Sequence, residues 1–201
     1  MRRLVPIALI LAAGVAHAAP RAIDPDWPCQ QIRVSELSVA AFWSGPPIDQ
    51  AQSDWRADTE IADLAADISE RRMRIETAEE QIAEFTRRLG TEKDRALPVL
   101  FAAVFSILNE ERQSVVAGLD RFGKRQKTLA DNLREEGEAL RAAQTTEPAD
   151  SPKITELSQQ LAWDQRYFEA RRTSLRFACD VPNVIEQRLY TLSRAIQKNL
   201  E

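Results

Sequence analysis

A heptad pattern of apolar residues between positions 61 and 89 constrains the fold of this chain more than any other feature. Isoleucine or leucine recurs at every seventh residue, and a second apolar line lies between these positions. The first line is Ile61, Ile68, Ile75, Ile82 and Leu89, and the second is Leu64, Ala78 and Phe85. This spacing keeps one stripe of an α-helix against a partner helix over many turns. The pattern therefore predicts a long helix that packs on other helices.

The ends of this first helix are marked by capping residues. Ser53 or Asp54 is a good N-cap, and Gly90 is a good residue to follow the last turn. The predicted helix covers about residues 54–89, which corresponds to a length of about 50 Å at 1.5 Å per residue. Because that length is too great for a compact globule of this size, we expect an elongated molecule.

Further apolar stripes predict three more helices, over about residues 94–144, 152–177 and 182–200. Pro182 lies just after Cys179 and Asp180, and is expected to separate the third helix from the fourth. Gly118 and Gly123 leave open whether the second helix is continuous or bent between them. The fold class predicted is all-α: an elongated antiparallel helical bundle or coiled-coil hairpin that forms one domain over residues 54–201.

Residues 19–53 form a segment of a different kind, without helical periodicity. Its prolines exclude a long helix, while Trp27 and Trp43 carry large apolar surfaces. We expect an extended N-terminal arm that docks on the bundle, with the tryptophans covering its apolar end. The alternative is that Trp27 or Trp43 lines a pocket for a ligand or partner.

Residues 1–18 have the pattern of a secretory signal peptide. Arg2 and Arg3 precede the apolar stretch 4–15, and Ala16-His17-Ala18 provides a small-x-small cleavage site. The apolar stretch is shorter than the roughly 18–20 residues that span a bilayer. The pattern predicts cleavage near Ala18, a location in the periplasm or outside the cell, and no transmembrane anchor in the mature chain.

Cys29 and Cys179 are the two cysteines of the chain. An exported protein meets an oxidising environment, which favours a disulfide between them. Neither belongs to the C-x-x-C motif of thioredoxin-like or zinc-binding proteins. The bond would connect the N-terminal arm to the junction of the third and fourth predicted helices, and a loop of that length is worth roughly 5 kcal/mol.

Composition excludes several classes of function. His17 is the one histidine and leaves with the signal peptide, so the mature chain lacks the base of Ser-His-Asp and Cys-His mechanisms and has no histidine metal ligand. Loss of Arg2 and Arg3 lowers the basic residues from 27 to 25, against 31 acidic residues, for a formal charge of −6. An acidic chain is a poor candidate for nucleic-acid binding. We expect no catalytic activity, cofactor or metal.

Arginines occupy some positions of the apolar stripes, namely Arg71, Arg112 and Arg171. Polar residues at such positions commonly pair across helices and fix their register. The alternative is an arginine-lined pocket for a small anion, since the guanidinium group binds carboxylates and phosphates in bidentate fashion. A basic cluster at 121–127 could similarly contact anionic groups, although nearby acidic residues favour a solvated helix face.

These patterns favour an exported interaction protein, either a scaffold or an accessory subunit, that uses a helical face. Its partner would be another exported protein or a second copy of the chain, because a heptad stripe can be buried within one chain or between two. The alternatives are a chaperone-like holdase for exported proteins and an arginine-lined bundle that binds or converts a small anion.

Peptide mapping without reductant tests the predicted disulfide. We expect a linked peptide pair that contains Cys29 and Cys179, because the mature chain offers no other thiol partner. Recovery of the two cysteines in separate, unlinked peptides would contradict the prediction.

Overall fold

The computed structural model describes Asp24, residues 26–146 and residues 150–200. The predicted signal peptide, residues 1–18, lies outside the described residues. Five α-helices and no strand occur within these ranges, which confirms the all-α prediction. The helices are α1 (Asp49–Asp54), α2 (Thr59–Ser69), α3 (Ile75–Leu89), α4 (Lys93–Thr145) and α5 (Ser151–Lys198), with short 3-10 turns at Val39–Ala41, Trp55–Ala57 and Gly90–Glu92.

Helices α4 and α5 form a long antiparallel hairpin on which every other element packs. They contain 53 and 48 residues, so each is about 70–80 Å long. The predicted elongated helical hairpin is therefore confirmed, and α4 runs without interruption through Gly118 and Gly123. Within the described ranges, no helix has a stretch both long and apolar enough to cross a lipid bilayer.

The single helix predicted over 54–89 is wrong, because the chain turns at residues 70–74 and forms α2 and α3 instead. Arg188 of α5 explains the turn. Its Nε and Nη2 donate to the carbonyl oxygen of Ile68 at 3.0 and 2.6 Å, and its Nη1 donates to that of Met73 at 2.9 Å. These bonds satisfy the carbonyl group of Ile68, at the end of α2, and that of Met73, in the turn before α3. A continuing helix would pair both groups internally.

The predicted break between the third and fourth helices is also wrong, because α5 continues through Pro182. A proline inside a helix removes one backbone hydrogen bond. Here Pro182 is buried, and the arm holds the preceding turn through Cys29 and through Gln31, whose Nε2 donates to the carbonyl oxygen of Cys179. Tertiary contacts thus stabilise the helix at the point where the proline weakens it.

The hydrophobic core lies in one half of the hairpin, which we call the body. It is formed by the first part of α4, the last part of α5, helices α2 and α3, and the arm. Its fully buried large side chains are Ile68, Ile82, Phe85, Leu97, Leu100, Phe101, Val104, Leu108, Ile185, Leu189, Leu192 and Ile196. In the other half, no side chain of residues 124–145 or 151–178 is fully buried.

The N-terminal arm lies along one groove between α4 and α5. The Sγ atoms of Cys29 and Cys179 are 2.04 Å apart, so the two predicted cysteines are paired. Farther along the arm, the Trp43 ring stacks on Phe101 with 4.3 Å between ring centroids. Trp43 also donates from Nε1 to the carbonyl oxygen of Pro46 at 2.7 Å. Its ring therefore closes one end of the core, and its polar edge is satisfied within the arm.

The arm approaches α4 most closely at Gly123. A Cβ atom at this position would lie 1.9 Å from the carbonyl oxygen of Asp26, a distance that no side chain can occupy. At Gly118, by contrast, the nearest atom to an added Cβ is the Nη2 of Arg121 at 3.9 Å. Gly123 is thus required for the arm to pack, whereas Gly118 is not.

The variants Gly123→Ala and Gly118→Ala should change stability in opposite directions. Gly118→Ala should stabilise the fold by up to about 1 kcal/mol, since alanine is the better helix former. Gly123→Ala should destabilise it by about 1–3 kcal/mol, because the arm must move. Urea denaturation followed by circular dichroism measures both. Equal effects of the two substitutions would mean that the arm does not contact Gly123.

Candidate functional site

The α4–α5 hairpin has two grooves, and different parts of the chain cover them. On one side of α4, Asp120 binds Arg33 of the arm with an N–O distance of 2.6 Å. On the other side, Glu111 binds Arg71 of the α2–α3 turn at 2.9 Å. Successive residues of an α-helix are about 100° apart, which places Asp120 and Glu111 on opposite sides of the residues that face α5. The arm thus covers part of one groove, and α2 and α3 cover part of the other.

The groove that α2 and α3 cover continues beyond their turn. Glu111 contacts the turn from α4, and Gly118 and Arg125 follow it at seven-residue intervals on the same side of that helix. Arg188 contacts the turn from α5, and residues 181, 174 and 167 precede it at the same interval. Seven residues are nearly two helical turns. We call the uncovered continuation the open groove; it is lined by Gly118, Arg125, Tyr167, Ser174 and Val181.

Large apolar side chains are exposed along the α5 edge of the open groove. Seven large apolar residues are exposed in the described parts of the chain, and five of them belong to α5. Four of the five lie on this edge: Trp163 is 65% exposed, Tyr167 48%, Phe177 76% and Val184 49%. Trp163, Phe177 and Val184 are spaced at multiples of seven residues, so they share one face. Exposed apolar rows of this kind mark interaction sites.

The α4 edge of the open groove is basic. Arg121 and Arg125 lie on this edge, and Arg166 of α5 lies near the ring of Trp163, with 5.8 Å between its Cζ and the ring centroid. Among the described residues, none of these three arginines forms an ion pair. Within the described ranges, these three arginines are therefore unpaired cations beside the open groove, although the whole chain is acidic, with a formal charge of −4.

Arg171, one of the three arginines singled out in the sequence, lies between the two helices at the open groove. Its Nε donates to Gln126 and its Nη1 to the hydroxyl group of Tyr167, both at 2.9 Å. Its guanidinium group also stacks on Phe122 and Tyr167, with its Cζ 4.6 and 5.4 Å from the ring centroids. Arg171 therefore fixes Tyr167 against α4 and shapes the groove.

The other two arginines lie elsewhere. Arg71 is in the α2–α3 turn, where it pairs with Glu111. Arg112 is 3% exposed and joins three elements: its Nε donates to Glu186 at 2.5 Å, and its Nη1 donates to the carbonyl oxygen of Val34 at 2.9 Å. Residues 112 and 126 of α4 are about 21 Å apart along the helix, so Arg71 and Arg112 do not meet Arg171 in one pocket.

A cleft of about 700 Å³ lies between α1, α2 and the start of α4, and is lined by residues that include Trp55, Asp58 and Arg95. Its charged groups already have partners. The side chain of Asp58 accepts from the backbone nitrogen of Ile61 at 3.2 Å and so caps α2, and Arg95 pairs with Glu92 at 3.4 Å. The Nε1 of Trp55 is buried without a hydrogen-bond partner in the described part of the chain. None of the exposed large apolar residues of the described chain lines this cleft, so the open groove is the stronger candidate for binding a protein.

Glu136 and Asp164 place two carboxylates at facing stripe positions of the hairpin. Burial raises the pKa of Glu136 above its usual range, and the neighbouring Asp164 carboxylate raises it further. Oε2 of Glu136 is buried without a hydrogen-bond partner in the described part of the chain. The ionised form of Glu136 is therefore disfavoured at this end of the hairpin.

Comparison with known proteins gives no family assignment. No protein-family model matches the chain, and no curated protein or solved structure matches it. Across residues 26–146 and 150–200, no group of three or more His, Cys, Asp or Glu side chains is placed to hold a metal ion. The function is therefore inferred from the open groove and its exposed edge.

The variant Glu136→Gln should make the hairpin more stable at pH 7 and less sensitive to pH. Because folding raises the pKa of Glu136, the folded state binds the proton more tightly, and stability falls as pH rises from the usual pKa through the raised one. The glutamine variant avoids this loss, with an expected gain of about 0.5 kcal/mol at pH 7. Urea unfolding at pH 4 and pH 7 measures the difference.

Glu138→Gln is the matched control, since Glu138 lies on the exposed side of the same helical turn. A gain that is equal at both pH values, or equal in the two variants, would contradict the role assigned to the Glu136–Asp164 pair.

Proposed function

We propose that this chain is an exported helical interaction protein without catalytic activity, which binds another exported protein through its distal hairpin. The distal hairpin is defined as residues 114–145 of α4 and 151–184 of α5. The observation that supports this proposal is the row of exposed apolar side chains, Trp163, Tyr167, Phe177 and Val184, beside the open groove.

The distal hairpin is built like an interface that lacks its partner. The body buries its large apolar residues, including Phe101 and Leu108, completely, whereas the distal hairpin leaves a tryptophan and a phenylalanine largely in water. Tryptophan, tyrosine and arginine are the residues that most often dominate the binding energy of protein interfaces. The open groove combines all three types within a short stretch of α5.

Export is supported by two independent features. Residues 1–18 have the arrangement of a cleavable signal peptide, and the Cys29–Cys179 pair is of a kind that persists in oxidising compartments. Loss of the signal would also remove His17, and with it the usual general base of hydrolytic enzymes. A binding role needs none of these groups.

A holdase would use the same exposed side chains in another way. Such a protein binds many unfolded clients weakly, through adaptable apolar surface. Here the apolar row is narrow, is bordered by arginines, and includes Tyr167 in a fixed position against Arg171. Fixed charges beside an apolar row discriminate between partners, which favours one dedicated partner.

A crosslinked pull-down of the tagged mature protein from its native periplasm tests the proposed function. The wild type is compared with the double variant Trp163→Ser/Phe177→Ser, and with Tyr190→Ser as the matched control. Tyr190 is 55% exposed and lies on α5 outside the open groove. We expect one exported protein enriched near equal stoichiometry with the wild type and with Tyr190→Ser, and its loss in the double variant.

Two results would contradict the proposal. Enrichment that is the same in all three proteins would place the interface elsewhere. A broad, weak set of exported proteins, combined with suppression of client aggregation at substoichiometric amounts, would indicate a holdase.

A further inference from the structure

We propose that the open groove binds an amphipathic helix with an acidic flank, which lies end to end with the α2–α3 hairpin. The proposal rests on the proposed function and specifies the chemistry of the partner. It predicts that the acidic flank faces Arg121 and Arg125 of α4, and that the apolar face packs on the Trp163–Val184 edge of α5.

The open groove is continuous with the groove that α2 and α3 fill. Within the body, α2 lies on α4 and α3 lies on α5, so the chain itself fills this groove with helices. The residues that contact their turn, Glu111 and Arg188, belong to the same helical lines as Gly118, Arg125, Ser174 and Tyr167. The open groove is therefore a continuation of a surface that already packs against helices, and a helix is the element that fits it.

The open groove has room for a helix, both in depth and in length. Gly118 and Ser174 are small. A Cβ atom added at Gly118 would meet no described atom closer than the Nη2 of Arg121, at 3.9 Å, apart from the neighbouring helix backbone. Small residues allow the backbone of a packed helix to approach closely. The exposed row from Trp163 to Val184 extends about 30 Å along the helix axis, which is the length of a partner helix of about 20 residues.

The arginines beside the open groove have no carboxylate partner among the described residues. Arg121 and Arg125 on α4 and Arg166 on α5 form no ion pair with any described carboxylate, and Arg171 is held by neutral groups. Glu111, which lies at the start of the open groove on α4, is already paired with Arg71. Complementary charges across an interface guide association and determine the register of the partner. A partner helix with glutamate or aspartate on the flank toward α4 pairs with Arg121 and Arg125.

A pair of synthetic helical peptides tests this inference on the full mature chain. Both peptides contain about 21 residues with the same leucine stripe, and they differ only in glutamate or lysine at the flanking positions. Fluorescence anisotropy of the labelled peptides gives the dissociation constants. We expect the glutamate peptide to bind at least about tenfold more tightly than the lysine peptide, and its affinity to fall as salt rises.

Two charge reversals locate the binding site. Arg125→Glu changes a residue of the open groove, whereas Lys124→Glu makes the same change of net charge on the face of α4 that points away from α5. Neither residue forms an ion pair in the described structure, so both variants should fold, as circular dichroism can verify. We expect Arg125→Glu to weaken binding of the glutamate peptide about tenfold and Lys124→Glu to change it less than about twofold.

Several results would overturn the inference. Equal binding of the two peptides, or equal effects of the two reversals, would remove the role of the groove arginines. Binding to phosphatidylglycerol vesicles that depends on Arg125 would indicate a membrane surface instead. A dimer in light scattering that Phe177→Ser dissociates would indicate a second copy. If neither peptide binds but the pull-down partner still requires Phe177, the acidic-helix inference fails while the proposed interaction function stands.

Discussion

The packing of α4 against α5 is the interaction on which the rest of the structure depends. Two such long helices leave two grooves between them, each about 70 Å long, and neither helix can be buried by the other alone. In the described structure, segments that precede α4 cover part of each groove. The arm extends over one groove as far as Gly123 and Lys127, and α2 and α3 cover the body half of the other. The hydrophobic core forms where both grooves are covered, and the distal hairpin is the part in which coverage is incomplete.

The arm and the α2–α3 hairpin are held to the long helices by polar contacts as well as by apolar packing. The disulfide between Cys29 and Cys179 attaches one end of the arm, and the buried Arg112 connects Val34 with Glu186. Arg188 attaches α2 and α3 to α5 by donating to the carbonyl oxygens of Ile68 and Met73. These contacts lie in the body and on the arm side of the distal hairpin, and none of them covers the row of Trp163, Tyr167, Phe177 and Val184, whose side chains are exposed. That contrast is the physical basis for assigning the distal hairpin the binding role.

Heptad spacing predicted the helical class, the elongated shape and the position of α4, because periodicity reports which face of a helix is buried. It did not predict the turn after Ser69, since Ile68 and Ile75 keep their spacing on both sides of it and no glycine or proline marks it. The turn is stabilised by Arg188, which is 120 residues from Ile68 in the sequence. The continuous helix through Pro182 likewise depends on the distant Gln31 and Cys29. The sequence indicated Arg171 of the candidate site but did not indicate the exposed row. Phe177 and Trp163 have the same heptad spacing as buried residues, so spacing alone does not show that their side chains are exposed.

Site-specific photocrosslinking in the intact periplasm shows whether the exposed row from Trp163 to Val184 contacts a partner protein. A photoreactive phenylalanine analogue is placed at position 177, on the α5 edge of the open groove, or at position 124, on the face of α4 that points away from α5. The crosslinked products are identified by mass spectrometry. The proposed interface predicts that position 177 crosslinks to one exported protein through a helix with acidic residues, and that position 124 gives no such product. Crosslinks of equal yield from both positions, or none from position 177, would contradict it.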